Sequence, residues 1–170
     1  MIYFTFYESP IQSLRLVSDG RSLTGLYMMS EKHHLIPQEN WLEDDSIAPF
    51  PETKEQLTAY FAGTLTEFDL PLKMEGTVFQ EIVWESLRNI PYGKTISYGE
   101  LADQIGRPNA SRAVGLANGR NPISIIVPCH RVIGANGKLT GYGGGVERKQ
   151  WLIEHEHNIC MKQPMVLEGK

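Results

Sequence analysis

Two capping boxes fix where helices begin in the second half of this chain: Thr77-Val78-Phe79-Gln80 and Ser97-Tyr98-Gly99-Glu100. In each, a Ser/Thr hydroxyl accepts a first-turn N–H and the Gln/Glu side chain reaches back, meeting two of the four N–H groups that a helix start leaves unpaired. After the first box, Phe79, Ile82, Val83, Leu87 and Ile90 recur at helical spacing until Pro91-Tyr92-Gly93 stops the run. After the second, a short helix is expected through Ile105. Gly106-Arg107-Pro108 then turns the chain, and Asn109 is placed to cap a third helix to about Asn118. Two short helices across a tight glycine turn form a helix-turn-helix pattern. A last helix is expected from about Val146 to Glu156.

The first half has a different grammar. Ile2–Tyr7, Leu14–Val17 and Leu23–Met29 are rich in aromatic and branched residues, and Ser9-Pro10 and Asp19-Gly20 separate them as turns. Residues 30–50 are polar and acidic and predict a loop. A helix follows from about Pro51 to Ala62, with Leu57, Tyr60 and Phe61 on one face. The expected fold is α+β. A small antiparallel α/β domain covers 1–75, and a mostly helical domain with the helix-turn-helix and an active-site loop covers 76–160. Residues 161–170 form a tail.

Charge follows the same division. The chain of 170 residues carries a net charge of -4, which taken alone argues against a nucleic-acid partner. Yet residues 1–75 hold 5 Lys/Arg against 12 Asp/Glu, while residues 88–138 hold 7 basic residues against 2 acidic. The basic excess covers the helix-turn-helix and the segment that follows it. Two cysteines, Cys129 and Cys160, are too few for a disulfide framework or a four-cysteine zinc site. No apolar run has the length of a membrane span. The expected setting is a reducing cytoplasm with both thiols free. His33-His34 lacks metal-ligand spacing, and Gly143-Gly144-Gly145 lacks the strand-to-helix context of a phosphate loop, so neither a metal nor a nucleotide cofactor is expected.

Pro128-Cys129-His130-Arg131 concentrates the chemistry. Thiolate is the reactive form of cysteine and is favoured beside cationic groups, and His130 and Arg131 follow Cys129 directly. Glu154 and Glu156 are acidic candidates to orient the imidazole in a Cys–His–Glu relay. An inert buried cysteine is the competing reading. The second helix of the helix-turn-helix carries Ala110, Ser111, Ala113 and Gly115. That face is too small to read bases in the major groove but suits a close minor-groove approach.

Residues 77–156 resemble the O6-alkylguanine-DNA alkyltransferases, most closely the bacterial stand-alone type. The resemblance is carried in order by Ile96–Ala102, Ser111–Gly115, Asn121-Pro122, Ile125–Val132, Gly141–Gly145, and Arg148-Lys149 through Trp151-Leu152 to His155-Glu156. It implies that Cys129 accepts an alkyl group, that His130 takes its proton through a water, and that Glu156 polarises His130. By the same resemblance Asn121 holds the active-site turn, Tyr98 helps rotate the nucleotide and bonds the guanine, and Arg112 fills the gap left by the flipped base. Tyr142 walls the pocket, with Val132, Gly143 and Ser124 around the base. Ser124 stands where some relatives carry proline, and Gly143 where some carry serine. The implied partner is double-stranded DNA containing alkylated guanine, met by a monomer without cofactor. A thioether has no easy leaving group, so one transfer per molecule is implied. A non-catalytic binder of alkylated DNA would lack Cys129, and a cysteine hydrolase gives no reason for Tyr98 or Arg112.

Overall fold

The computed structural model describes residues 1–28, 39–139 and 145–162. The alternating N-terminal segments form β1 (Tyr3–Ser9), β2 (Gln12–Ser18) and β3 (Leu23–Met28), paired antiparallel in the order β3-β2-β1. A two-residue strand, β4 (Leu42–Glu43), joins the free edge of β1 in parallel, so the sheet is mixed at one edge and antiparallel elsewhere. This strand lies within the stretch read as loop; two residues are too few to carry a period. Met29, expected in the third strand, and residues 30–38 of that loop, including His33-His34, lie outside the described residues.

Helix α1 (Phe50–Ala62) follows, capped by Gly63 at φ 84°, a left-handed conformation that glycine adopts without strain. Both capping boxes form. Thr77 opens α2 (Val78–Leu87), and Ser97 opens α3 (Tyr98–Gln104) directly after β5 (Ile96–Ser97). The buried stripe of α2 is Val83, Trp84 and Leu87 rather than the expected row through Ile82, which is 39% exposed. Trp84 shifts the stripe: its indole enters the core, where Nε1 donates to the Ala117 carbonyl at 2.8 Å. Burying such a ring contributes about 2–3 kcal/mol.

Asn109 does not cap the next helix. The chain closes a backbone turn there, Ala110 N donating to the Arg107 carbonyl at 2.9 Å. Helix α4 (Ser111–Gly119) then starts after Ala110 without a side-chain cap. A 3-10 turn (Cys129–Arg131) leads into β6 (Val132–Ile133), and α5 (Val146–Lys162) is six residues longer than the pattern predicts. Contacts rather than periodicity extend it: Ile159 covers Gly63, and Cys160 covers Gly93. The last two residues of α5 therefore fall in what was read as tail, and 163–170 lie outside the described residues.

A single core joins the two halves. Leu14, Leu16, Leu26, Leu57 and Tyr60 pack in one cluster with Val83, Leu87, Leu101, Val114, Val127 and Leu152. The exposed edge of β3 is used twice. Leu23 exchanges hydrogen bonds with Pro71 and Lys73, and Leu26 with Pro122 and Ser124. The second exchange anchors the start of the cysteine segment to the N-terminal sheet. Among the described residues, no helix is long and apolar enough to cross a membrane.

Candidate functional site

The segment from Asn121 to Cys129 is a strained turn held by two asparagine side chains. Ile125 has φ 71°, a left-handed conformation that costs a β-branched residue about 1–3 kcal/mol. Asn121 compensates. Its Nδ2 donates to the carbonyls of Val127 at 2.8 Å and Ile123 at 3.3 Å, and its Oδ1 accepts from Ile123 N at 3.0 Å. Asn118 of α4 donates to the Cys129 carbonyl at 3.3 Å. Cys129 emerges from this scaffold buried at 4% exposure. Replacing Asn121 with alanine removes the acceptor of the Ile123 N–H and one of the two donors on each of the Ile123 and Val127 carbonyls, which keep the N–H groups of Val127 and Cys129. The expected result is a loss of about 1–3 kcal/mol of stability, read by urea unfolding, together with slower chemistry at Cys129.

Glu156 of α5 is the hub beside the thiol turn. It is buried, yet its carboxylate accepts five hydrogen bonds. Oε2 takes them from Tyr60 Oη at 2.6 Å, His130 Nε2 at 2.7 Å and Arg131 Nη2 at 3.0 Å; Oε1 takes them from Arg131 Nε at 2.8 Å and Gly93 N at 3.3 Å. Burial opposes its charge, but His130 and the paired Arg131 guanidinium prevail and hold its pKa well below the usual carboxylate range. Burial also dominates at His130, which is fully enclosed, and keeps its pKa below the ordinary histidine value despite Glu156. The imidazole is therefore neutral near pH 7. With Nε2–H donated to Glu156, Nδ1 is the basic nitrogen; it is buried and makes no hydrogen bond with the described residues. Glu154, the other acidic candidate, lies outside this hub and accepts from Gln150 on the surface.

Arg131, close to Cys129 in sequence, directs its side chain to the carboxylate hub. Its donors are committed to Glu156 and, at 2.7 Å, to the Ile90 carbonyl. Lys149 of α5, given no role from sequence, is a buried cation that interacts electrostatically with Cys129. Lys149 is fully buried, and burial presses its pKa down to about 8 while the Cys129 charge pulls it back up. Its Nζ donates to Tyr98 Oη at 3.4 Å and lies 5.7 Å from that ring's centre.

Tyr98 is the first residue of α3, and β5 immediately before it pairs in parallel with β6 immediately after the cysteine turn: Ile96 with Val132 and Ser97 with Ile133. That two-strand ladder brings the tyrosine and the thiol segment together across thirty residues of sequence. Gly115 of α4 lies against the same tyrosine; a Cβ there would stand 3.7 Å from the ring. Ser111, Arg112 and Ala113 are exposed on α4, while Ala110 is half-buried at its cap. Ser124 and Val132 are buried beside the turn. Tyr142 and Gly143 lie outside the described residues. The structure thus brings together Cys129, His130, Glu156, Asn121 and Tyr98, and sets Arg112 on the helix-turn-helix surface.

Comparison with known proteins follows the same division of the chain. Residues 2–74 match the model of the 6-O-methylguanine DNA methyltransferase ribonuclease-like domain, and residues 78–158 that of the 6-O-methylguanine DNA methyltransferase DNA binding domain. A Mycobacterium bovis protein named methylated-DNA--protein-cysteine methyltransferase is 56% identical over 92% of this chain and 93% of its own length. A protein of the same name from Methanosarcina acetivorans is 52% identical over 91% of this chain and 98% of its own. The Mycobacterium tuberculosis O6-methylguanine methyltransferase crystal structure superposes with a TM-score of 0.87, at 52% identity, covering 98% of this chain and 99% of that one. The Mycobacterium tuberculosis OGT solved in complex with DNA gives a TM-score of 0.85 at 54% identity, covering 92% and 94%.

Proposed function

The chain belongs to the 6-O-methylguanine DNA methyltransferase family, and from that membership we propose that it repairs DNA by moving the alkyl group of O6-alkylguanine to its own Cys129, once per molecule. The observation that carries the reading is a buried Cys129 followed directly by a buried His130 that is hydrogen-bonded to Glu156 at 2.7 Å, with the buried Lys149 hydrogen-bonded to Tyr98 on the same side of the fold.

The target atom lies inside the duplex, so the nucleotide must leave the stack before any side chain reaches it. Helix α4 approaches the minor groove with its small residues Ala110, Ser111, Ala113 and Gly115, and Arg112 enters the space the base vacates. The Cys129 thiol gives its proton to His130 Nδ1 by way of a water. Lys149 favours the resulting thiolate, and Glu156 favours the imidazolium. The sulfur then forms a bond to the alkyl carbon as the bond from that carbon to guanine O6 breaks. The electron pair passes into the guanine ring, and Tyr98, steadied by Lys149, donates a hydrogen bond to the departing base. The proton that left the thiol restores neutral guanine. What remains on the protein is a thioether, which none of these groups can cleave.

Ser124, Val132, Tyr142 and Gly143 surround the base in this reading, and O4-alkylthymine is a second substrate of the same chemistry. A protein that only binds alkylated DNA has no use for the thiol, the imidazole and the ammonium gathered at one place. Arg112→Ala separates base extrusion from chemistry. Transfer from alkylated duplex is expected to slow by about tenfold or more, since extrusion costs a few kcal/mol. Transfer from free O6-benzylguanine, a soluble alkylated base, is expected to stay within about twofold. Equal losses on both substrates would count against the arginine's role.

A further inference from the structure

We propose that the N-terminal half supplies a positioning residue to this chemistry: Tyr60 of α1, by donating to the Glu156 oxygen that also holds His130, sets how strongly that carboxylate supports the imidazole. The inference rests on the proton-accepting role given to His130 above.

Tyr60 is fully buried, and its hydroxyl reaches Glu156 Oε2 across 96 positions of sequence. Burial, reinforced by the Glu156 charge, keeps the phenol protonated far above neutral pH, so Tyr60 acts as a donor only. The same oxygen accepts from His130 Nε2 at 2.7 Å. Two donors on one carboxylate oxygen compete for its electron density, and each weakens the other's bond. The tyrosine is itself fixed. His155 of α5 lies 5.4 Å away ring to ring and its Nε2 meets the Tyr60 carbonyl at 3.0 Å, while Phe61 and Phe68 pack on the ring. The other charged or titratable groups facing the pair are Arg131 on the cysteine turn, Lys149 on α5, and Tyr92 after α2, with Cys160 beside Tyr92. Arg131 and Lys149 are cations that disfavour the imidazolium. Tyr60 acts in the same direction by drawing charge off Oε2, and it is the contributor that comes from the N-terminal half of the chain.

The sign follows. Without the phenol, Oε2 concentrates its charge on His130 and the imidazolium becomes easier to form. His130 then stops accepting protons at a higher pH. The test measures the rate of alkyl transfer to Cys129 from free O6-benzylguanine between pH 5 and 8.5. It compares the unaltered protein, Tyr60→Phe, and a protein with 3-fluorotyrosine at position 60, whose more acidic phenol is a stronger donor. Tyr60→Phe should move the acid limb up by about half a pH unit to one unit, slowing transfer about three- to tenfold on that limb and less than about twofold on the plateau. The fluorinated residue should move the limb down. Superimposable acid limbs would overturn the proposal. So would equal slowing of both variants at every pH alongside reduced thermal stability, which marks a packing role only. Absence of transfer in the unaltered protein would instead overturn the function proposed above.

Discussion

Replacing Glu156 with alanine is expected to cost about 3–5 kcal/mol of folding stability and to slow alkyl transfer sharply. The size follows from what the carboxylate holds. Arg131 is a cation whose guanidinium is buried with two donors aimed at Glu156. Removing the acceptor leaves that charge enclosed and uncompensated, strands the buried Tyr60 hydroxyl, and frees the His130 ring to turn. Against a typical total of about 5–15 kcal/mol, the variant keeps little reserve. Urea unfolding measures the loss; a change below about 1 kcal/mol would show that the hub is not structural. The same hub sets the acid response. His130 has a depressed pKa in the fold, so the unfolded chain binds the extra proton and stability begins to fall as pH drops below the ordinary histidine value near 6.5. Glu156, also depressed, contributes fully above the ordinary carboxylate value of 4.5 and loses its contribution as pH falls further toward its folded value. Acid unfolding of the unaltered protein should therefore steepen in two stages, and Glu156→Gln should remove the lower one.

Cys129→Ser is expected to abolish transfer while leaving the fold and DNA binding in place. Serine is close in size, and the turn around position 129 is held by Asn121 and Asn118 through backbone carbonyls, so stability should change by less than about 1 kcal/mol. The chemistry fails for a different reason. A neutral imidazole and one ammonium can shift a thiol toward thiolate, but an alcohol begins several powers of ten less acidic, and its oxygen is a poorer partner for an alkyl carbon. The variant should bind alkylated duplex as tightly as the unaltered protein and retain it unrepaired. Residual transfer to any other residue, Cys160 included, would break the assignment.

Much of this was legible in the chain because the relevant signals are local. The capping boxes at Thr77 and Ser97 place α2 and α3 where they form. The Asn121-to-Arg131 segment, with its strained Ile125, carries its scaffold within eleven residues. Errors arose where distant contacts overrule local signals. Asn109 looks like a cap, but a backbone turn from Arg107 already satisfies that corner. The end of α5 was read short because Gly63 and Gly93, far away in sequence, give Ile159 and Cys160 their seats. The site shows the same limit. Arg131 stands close to Cys129 in sequence, yet its side chain turns to Glu156, while Lys149, twenty positions after the cysteine, interacts electrostatically with it. Tyr60 was visible as one residue of an apolar helix face and nothing in its neighbourhood marked it as a donor to a residue on the last helix.

The central claim is that Cys129 takes the alkyl group and keeps it. Incubation with duplex DNA bearing a single radiolabelled O6-methylguanine, followed by digestion and mass analysis, tests it most directly. The account predicts one label per protein molecule, carried as a thioether on Cys129, with guanine restored in the DNA and no further transfer on adding fresh substrate. Label that stays on the DNA, leaves as a free small molecule, appears on another residue or exceeds one equivalent would contradict it.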